Sequence, residues 1–400
     1  MLSEKTVADL FNVSLRCVTG WRLRGLIKPA PGGGYTLQSL ASLPGRKGKL
    51  VQQMLAPTPV APAAHRPYRC IELFAGGGGL ALGLERAGFQ SQALYEKDSH
   101  ACATLRVNRP HWNVIEGDVS QVDFSEYLGI DLLSAGFPCQ PFSVAGVARG
   151  LEDTRGTLFY QVARAVKESR PKVFLCENVR GLVHHDKGRT LRSIQAVFQA
   201  LGYTLLEPTV LKAMLYRVPQ KRERLFLVGI RNDLFGAFQW PLPHHRVYTL
   251  RDALKAGELY PTDCPSSPGQ RYSAKRAAVL AQVPPGGCWR DLPPEVGLAY
   301  LGGAAETGGG QSSTARRLSW DEVSLTLLTH PSQKQTERCH PDETRPLTVR
   351  EYARIQTFPD DWVFSGSLAS QYRQIGNAVP THLAEAVGNS LVALFNQWQT

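Results

Sequence analysis

Between residues 68 and 235 the sequence predicts a doubly wound α/β domain, and three observations carry that expectation. Short apolar runs alternate with helical periods, as the strands and crossover helices of a mostly parallel sheet do. A glycine-rich stretch, Phe74-Ala-Gly-Gly-Gly-Gly79, joins the first run to a helical one. The alternation then stops near residue 236, so the following hundred residues must be organised differently.

In chain order, residues 1–43 read as a compact unit of their own. Val7, Leu10 and Phe11 stand at helical spacing, Asn12-Val13 interrupts them, and Ser14 is placed to cap a second helix from Leu15 to Leu23. That second helix carries Arg16, Arg22 and Arg24 around Val18 and Trp21, and Gly32-Gly-Gly-Tyr-Thr-Leu37 reads as a small β-wing. The pattern resembles the winged helix-turn-helix of MerR-type regulators and excisionases. This resemblance implies that the arginines meet base edges or phosphates in a major groove. Residues 44–67, with Arg-Lys-Gly-Lys49 and a run of alternating prolines, read as a basic, proline-stiffened linker without apolar period.

The strand candidates that follow are Cys70–Phe74, Ala93–Tyr95, Val114–Ile115, Asp131–Leu133, Val173–Cys176, Thr204–Leu206 and Leu225–Ile230. Leu191, Ile194, Phe198 and Leu201 mark the clearest helix between them. Residues 236–344 are rich in Pro, Gly, Arg and His, and too long for a loop, so they form a second, irregular domain. Helical order returns at Thr348–Ile355 and from Thr381 to Phe395.

Composition bounds the partners. The chain has 400 residues, 43% hydrophobic and 20% charged, and a formal charge of +11, which points to a polyanion such as nucleic acid. Eight cysteines are scattered without a C-x-x-C pair, so neither a disulfide framework nor a metal site is indicated. No signal segment or membrane-length apolar run is evident, and a cytoplasmic, nucleoid-associated protein with reduced thiols is expected.

The candidate site gathers at the strand ends. Ser134-Ala-Gly-Phe-Pro-Cys-Gln-Pro-Phe-Ser143 follows a buried strand and holds Cys139 between Pro138 and Pro141, a stiff setting that suits a nucleophile. Glu96 ends the second strand where a carboxylate can meet ribose hydroxyls, and Asp118 ends the third, where it can accept from an amino group. Glu177-Asn178-Val179 ends another strand on the same edge, and a carboxyl there is partly desolvated, which favours its protonated form. Arg222 and Arg224, in Gln220-Lys-Arg-Glu-Arg224, enter the last strand on one side. The glycine loop alone leaves a rival open, because Gly76-x-Gly78-x-x-Ala81 also satisfies the fingerprint of a nicotinamide-dependent dehydrogenase.

Taken together, Phe74-Ala-Gly-x-Gly-Gly79, Gly136-Phe-Pro-Cys-Gln-Pro-Phe-Ser143, Glu177-Asn-Val179, Gln220-x-Arg-x-Arg224 and Gly376-Asn-Ala-Val-Pro380 resemble the ordered motif series of DNA (cytosine-5)-methyltransferases. The likeness runs from about residue 68 to the C-terminus. It implies a Rossmann-like catalytic domain at 68–235, a target-recognition domain at 236–344, and a return segment at 345–400 that completes the catalytic domain. It implies a methyl transfer from S-adenosylmethionine to C5 of a flipped cytosine in double-stranded DNA, through a covalent bond between Cys139 and C6. Glu177, oriented by Arg222 or Arg224 and flanked by Asn178 and Gln220, would serve N3.

On the same resemblance, the cofactor would be contacted by Phe74, Gly77, Gly79, Glu96, Lys97, Asp118, Val119, Gly136, Pro138, Leu158, Asn377 and Val379. Arg271, Lys334, Gln335, Thr336 and Arg338 are the expected base or phosphate contacts in the second domain. A cognate restriction endonuclease is the implied functional partner, with a monomer on the target site. A DNA-binding regulator that keeps an inactive methyltransferase domain is the third reading. Residues 1–43 are expected to bind a promoter separately from the methylated site, dimerising there, so that their removal would spare methylation.

Overall fold

The computed structural model describes residues 1–57, 59–137, 157–304 and 313–398. At its centre β1 (Tyr68–Leu73) is flanked by β2 (Phe89–Glu96) and β4 (Leu132–Gly136), with β3 (Val114–Glu116) beyond β2 and β5 (Val173–Val179) beyond β4. These five strands are parallel. The seven sequence-predicted strands all form, but the last, β9 (Glu223–Arg231), runs antiparallel to β5. β6 (Tyr203–Leu205) and β7 (Thr209–Lys212) both pair antiparallel with β9, completing an eight-stranded sheet among the described residues. β7 escaped the sequence reading because Thr209-Val-Leu-Lys212 is short and half-buried, without a continuous apolar run.

Both faces of the sheet are covered, which is why β4 and β5 read as unbroken apolar runs. Neighbouring residues go to opposite cores. Leu132, Val173 and Leu175 join α5 (Gly79–Ala87) and α14 (Thr381–Phe395) on one face. Leu133, Phe174 and Cys176 join α7 (Leu158–Ser169) and α8 (Arg189–Ala200) on the other. α14 is the expected C-terminal return. Its close approach to α5 rests on small residues: a Cβ on Gly83 would stand 2.3 Å from the Ala384 Cβ, and one on Gly388 2.7 Å from the Ala87 Cβ.

The sheet is anchored at its N-terminal edge by Asp131, which is 2% exposed. Its carboxylate accepts two hydrogen bonds from the Arg66 guanidinium at 2.7 and 2.8 Å and one from the Arg69 amide at 2.9 Å, and Lys172 stands 2.9 Å away. Burial opposes its charge, but these donors outweigh burial and hold its pKa down at about 2. A depressed carboxylate stabilises the fold above its unfolded pKa and loses that contribution as pH falls toward its folded value. Asp131→Asn is therefore expected to lower unfolding stability by roughly 2 kcal/mol at pH 7, measured by urea denaturation, with the difference from wild type shrinking between about pH 4 and pH 2.

The N-terminal unit holds α1 (Glu4–Phe11), capped by Ser3, and α2 (Leu15–Leu23), capped by Ser14 as the sequence suggests. Two expectations are corrected there. The glycine-rich wing forms only an isolated bridge between Leu2 and Tyr35 rather than a β-ribbon, because three successive glycines with positive φ turn the chain too sharply to pair. The stretch 44–67 is not all linker: α4 (Arg46–Leu55) occupies part of it and buries Val51 and Met54 completely. Leu50, Val51, Met54 and Leu55 do stand at helical spacing, masked by the basic residues on the other face.

Residues 236–344 contain short helices: α9 (Leu250–Leu254) packs with Val349, Tyr352 and Ile355 of the return segment, whereas α10 (Ala274–Leu280) and α11 (Pro294–Leu301) lie around a small core of Leu280, Val283, Leu292, Tyr300, Ala315 and Cys339. Buried arginine replaces regular pairing here. Arg317 alone donates to the carbonyls of Leu280, Val283, His340 and Pro341 and to the Thr344 hydroxyl. α12 (Val349–Ile355), with a Thr348–Glu351 capping box, and α13 (Leu368–Asn377) then lead back to the catalytic sheet.

Candidate active site

The C-terminal ends of β1, β2, β4 and β5 open onto one cavity of about 460 Å³. Leu73 pairs with Tyr95 and Ala135, and Gly136 with Glu177, so the register brings these ends to one edge. The turn after β1 needs its unusual backbone: Phe74 has φ 60°, and Gly78, with φ 87°, caps α5. Gly79 must lack a side chain, since a Cβ there would stand 2.3 Å from the Val379 carbonyl oxygen. Of the predicted cofactor residues, Phe74, Gly77, Gly79, Glu96, Gly136, Leu158, Asn377 and Val379 line this cavity. Asn377 and Val379 arrive from the far end of the chain.

Three of that set do not line it. Lys97 is exposed and its ammonium pairs with Asp118 at 2.9 Å; Asp118 also accepts from the Ser120 amide, and these bonds hold its carboxyl at about 2. Val119 is buried in the apolar core beside Phe124. The cause is local, because β3 stops at Glu116 and a tight turn from Val119 to Gln121 folds these side chains away. Pro138 lies outside the described residues, as does Cys139.

Glu177 is 8% exposed at the cavity rim. β5 and β9 place Val179 opposite Arg224, and the Arg224 Nε stands 2.7 Å from the Glu177 Oε1. Burial pushes the Glu177 carboxyl above the usual range, while Arg224 and Arg222 pull it back. Asn178 donates to the Phe137 carbonyl at 3.0 Å, tying the end of β5 to the segment leaving β4.

Gln220 and Arg222 do different work from the one expected of them. Gln220 is wholly buried, donating to the Gln356 side chain at 2.8 Å and accepting from the Leu327 amide at 3.0 Å. Arg222 donates to the carbonyls of Leu327 at 3.1 Å and Gly376 at 2.7 Å. Gln356, which the sequence did not single out, completes the network by donating to Ile375 and Ala378 carbonyls. These side chains fix the turn that delivers Asn377, and Arg222 reaches Glu177 only through its charge.

Residues 68–393 match the family model described as C-5 cytosine-specific DNA methylase. The chain belongs to that family. It is an S-adenosylmethionine-dependent DNA (cytosine-5) methyltransferase. The methyltransferase is 61% identical over 333 residues to Type II methyltransferase M.Eco47II of Escherichia coli, covering 82% of this chain and 80% of that one. It is 53% identical to M.PspPI of a Psychrobacter strain, across 98% and 96% of the two chains. A solved structure of a protein described as a DNA modification methyltransferase from an E. coli prophage superposes with TM-score 0.62 at 26% identity, over 82% of this chain and 99% of that one. Dnmt2 of S. pombe, at 17% identity and TM-score 0.57, shares the fold.

The cavity of the methyltransferase fits its cofactor in charge as well as shape. Glu72, Glu96 and Asp98 line it. Its two arginines are each paired with a carboxylate, Arg224 with Glu177 and Arg373 with Asp98, which leaves Glu96 as the lining carboxylate free to meet a sulfonium cation. The Glu96 carboxylate is held in place by the amides of Gly76, Lys97 and Asp98 at 2.7 to 2.8 Å and keeps lone pairs for vicinal hydroxyls. Glu72 was not anticipated, because it reads as one polar residue inside a strand. Its carboxyl accepts from the Ser134 hydroxyl at 3.3 Å, and burial pushes it up to about 8.

The expected DNA contacts scatter. Arg16, Arg22 and Arg24 are exposed on or just after α2, and Arg271 is exposed on the second domain. Lys334 is exposed with its ammonium 5.1 Å from the Tyr300 ring centre. The Thr336 hydroxyl is buried without a hydrogen-bond partner, and the Gln335 side chain lies outside the described residues. Arg338 is a correction: it is 5% exposed and donates to the Thr326 and Glu337 carbonyls, as buried arginines elsewhere in this domain do. In this arrangement it is a carbonyl clamp and not a surface contact.

Proposed function

We propose that the enzyme is the modification methyltransferase of a restriction-modification system and acts on a flipped cytosine of a specific duplex sequence. The observation that carries the reading is the buried Glu177–Arg224 pair standing at the rim of the cavity formed by the glycine loop and the Asn377 turn. The strong likeness to Type II methyltransferases supports the biological setting. S-adenosylmethionine, held by Phe74, Gly77, Gly79, Glu96, Asn377 and Val379, supplies the electrophilic methyl group.

The chain's own residues do the rest. Cytosine C5 is a poor nucleophile until C6 carries an added group, and the Cys139 thiolate adds there. As electron density moves into the ring, protonated Glu177 donates to N3, and Arg224 keeps the carboxyl aimed. Once C5 has bonded the methyl carbon, loss of the C5 proton to solvent lets the Cys139 sulfur leave as thiolate, and the N3 proton returns to Glu177. The target must be out of the stack for these contacts, at a cost of a few kcal/mol that protein contacts offset. Bisulfite sequencing of DNA from a host expressing the chain tests this: one sequence context should be protected throughout. Unprotected DNA from cells holding folded protein would defeat the reading.

The exposed Arg16, Arg22 and Arg24 favour a second DNA contact through α2. Replacing all three with alanine is expected to weaken duplex binding in a gel shift and to flatten its salt dependence, with the log–log slope falling by about 3. An unchanged slope would remove α2 from the interface.

A further inference from the structure

The segment Gln220–Arg224 has two sides. Gln220, Arg222 and Arg224 face the catalytic domain through the contacts described above. Lys221 and Glu223, the residues between them, face the N-terminal unit. The Lys221 ammonium pairs with the Asp9 carboxylate at the end of α1. Glu223 accepts from the Asn12 side-chain amide at 3.0 Å through one oxygen, and from Arg180 at 2.6 Å through the other. Arg180 directly follows Glu177-Asn-Val179, so one carboxylate links α1, the loop after β5 and the start of β9.

Other contacts hold the unit in that place. Lys212, opposite Glu223 in the sheet, donates to the Asp9 and Leu10 carbonyls at 3.3 and 2.8 Å. Lys5 pairs with Glu322 of the second domain. Leu10 and Met54, both wholly buried, belong to the same apolar core as Leu211 and Met214. Asn12 sits in left-handed conformation with its amide bonded to the Ala8 and Asp9 carbonyls, which fixes the direction of its side chain. Asp9 and Asn12 line a cavity of about 390 Å³ together with Arg224, and Arg224 also lines the cofactor cavity.

We propose that the N-terminal unit is a positioning element of the catalytic site, gripping Lys221 and Glu223 from outside so that Arg224 stands correctly against Glu177. This rests on the reading of Glu177 and Arg224 given above. On this proposal residues 1–43 are not separable from methylation, contrary to the expectation from sequence. Asp9 and Asn12 touch no reacting group; they act through their neighbours.

The test uses full-length Asp9→Asn/Asn12→Ala on a duplex carrying the protected sequence. The expected result is a kcat about tenfold lower, since small misplacement of a catalytic group is costly. KM for S-adenosylmethionine should stay within about twofold, as neither substituted side chain lines the cofactor cavity. The alkaline limb of the kcat–pH profile should move up, because Glu177 loses part of the Arg224 charge. Asp9→Lys with Lys221→Asp should recover activity lost by Asp9→Lys alone. Wild-type kcat and pH profile in the double variant would overturn the proposal, and so would a charge swap no better than the single change. If the double variant does not fold, Asn12→Gly, which keeps the left-handed turn and removes the exposed hydrogen bond to Glu223, carries the same pH test. Glu177→Gln run alongside separates the two readings: full activity there defeats the site assignment, whereas normal kinetics in the Asp9/Asn12 variant beside an inactive Glu177→Gln defeats only the positioning.

Discussion

Cys139→Ser is expected to reduce methyl transfer by at least about a thousandfold while leaving S-adenosylmethionine affinity near wild type. A free thiol has pKa about 8.5, so at pH 7.5 about a tenth of it is ionised, and the resulting penalty is only about 1.4 kcal/mol. A serine hydroxyl is essentially unionised under the same conditions and is a harder, weaker nucleophile toward an sp² carbon. No neighbouring group in the described site is placed to take over attack at C6. Glu177 is committed to Arg224, and Glu72 is buried within β1 against the Ser134 hydroxyl. Radiolabelled methyl transfer and calorimetric cofactor titration, run on the same preparation, separate loss of chemistry from loss of binding.

Glu177→Gln is expected to lower kcat by about a hundredfold, the usual scale for removing a positioned acid. The pH dependence gives the sharper signature. Burial raises the Glu177 carboxyl above the ordinary range, against the pull of Arg224 and Arg222, so a protonated fraction persists further toward neutrality. Activity requiring that proton falls as pH rises through the raised value, while ionisation of Cys139 favours higher pH. A bell-shaped profile results, and the variant should lose its alkaline limb. Retention of that limb would mean that another group supplies N3.

Much of this was legible in the chain because its chemistry sits in short contiguous motifs at strand ends. Phe74–Gly79, Glu177–Val179 and Gln220–Arg224 each announce a backbone turn or a desolvated charge by residue type alone, and the sheet register then brings the first two to one edge. Asn377 was placed only through family resemblance, since nothing local reveals that its turn lies against Gly79. The networks that deliver it, through Gln356 and the inward side of Arg222, join residues more than a hundred positions apart.

Basic residues were the least legible. Charge pattern cannot tell a phosphate contact from a carbonyl clamp, and Arg338 proved to be the latter, whereas Arg16 and Arg24 remain exposed. α4 went unseen because Arg46-Lys-Gly-Lys49 dominates a helix whose apolar side is only four residues. Gly48 is required there by packing, since a Cβ would stand 2.1 Å from the Leu43 carbonyl oxygen. Lys221 and Glu223 looked like solvated spacers between arginines, and only the docked position of α1 gives them partners.

The central claim is a transient bond between the Cys139 sulfur and the target ring. A duplex carrying 5-fluorocytosine at the methylated position blocks release, because fluorine replaces the proton that must leave C5. Incubation with S-adenosylmethionine should give a covalent protein–DNA species on a denaturing gel, with the peptide containing Cys139 carrying the added mass, and Cys139→Ser should give none. Normal turnover of unsubstituted duplex without any trapped species, or trapping through another residue, would contradict the account.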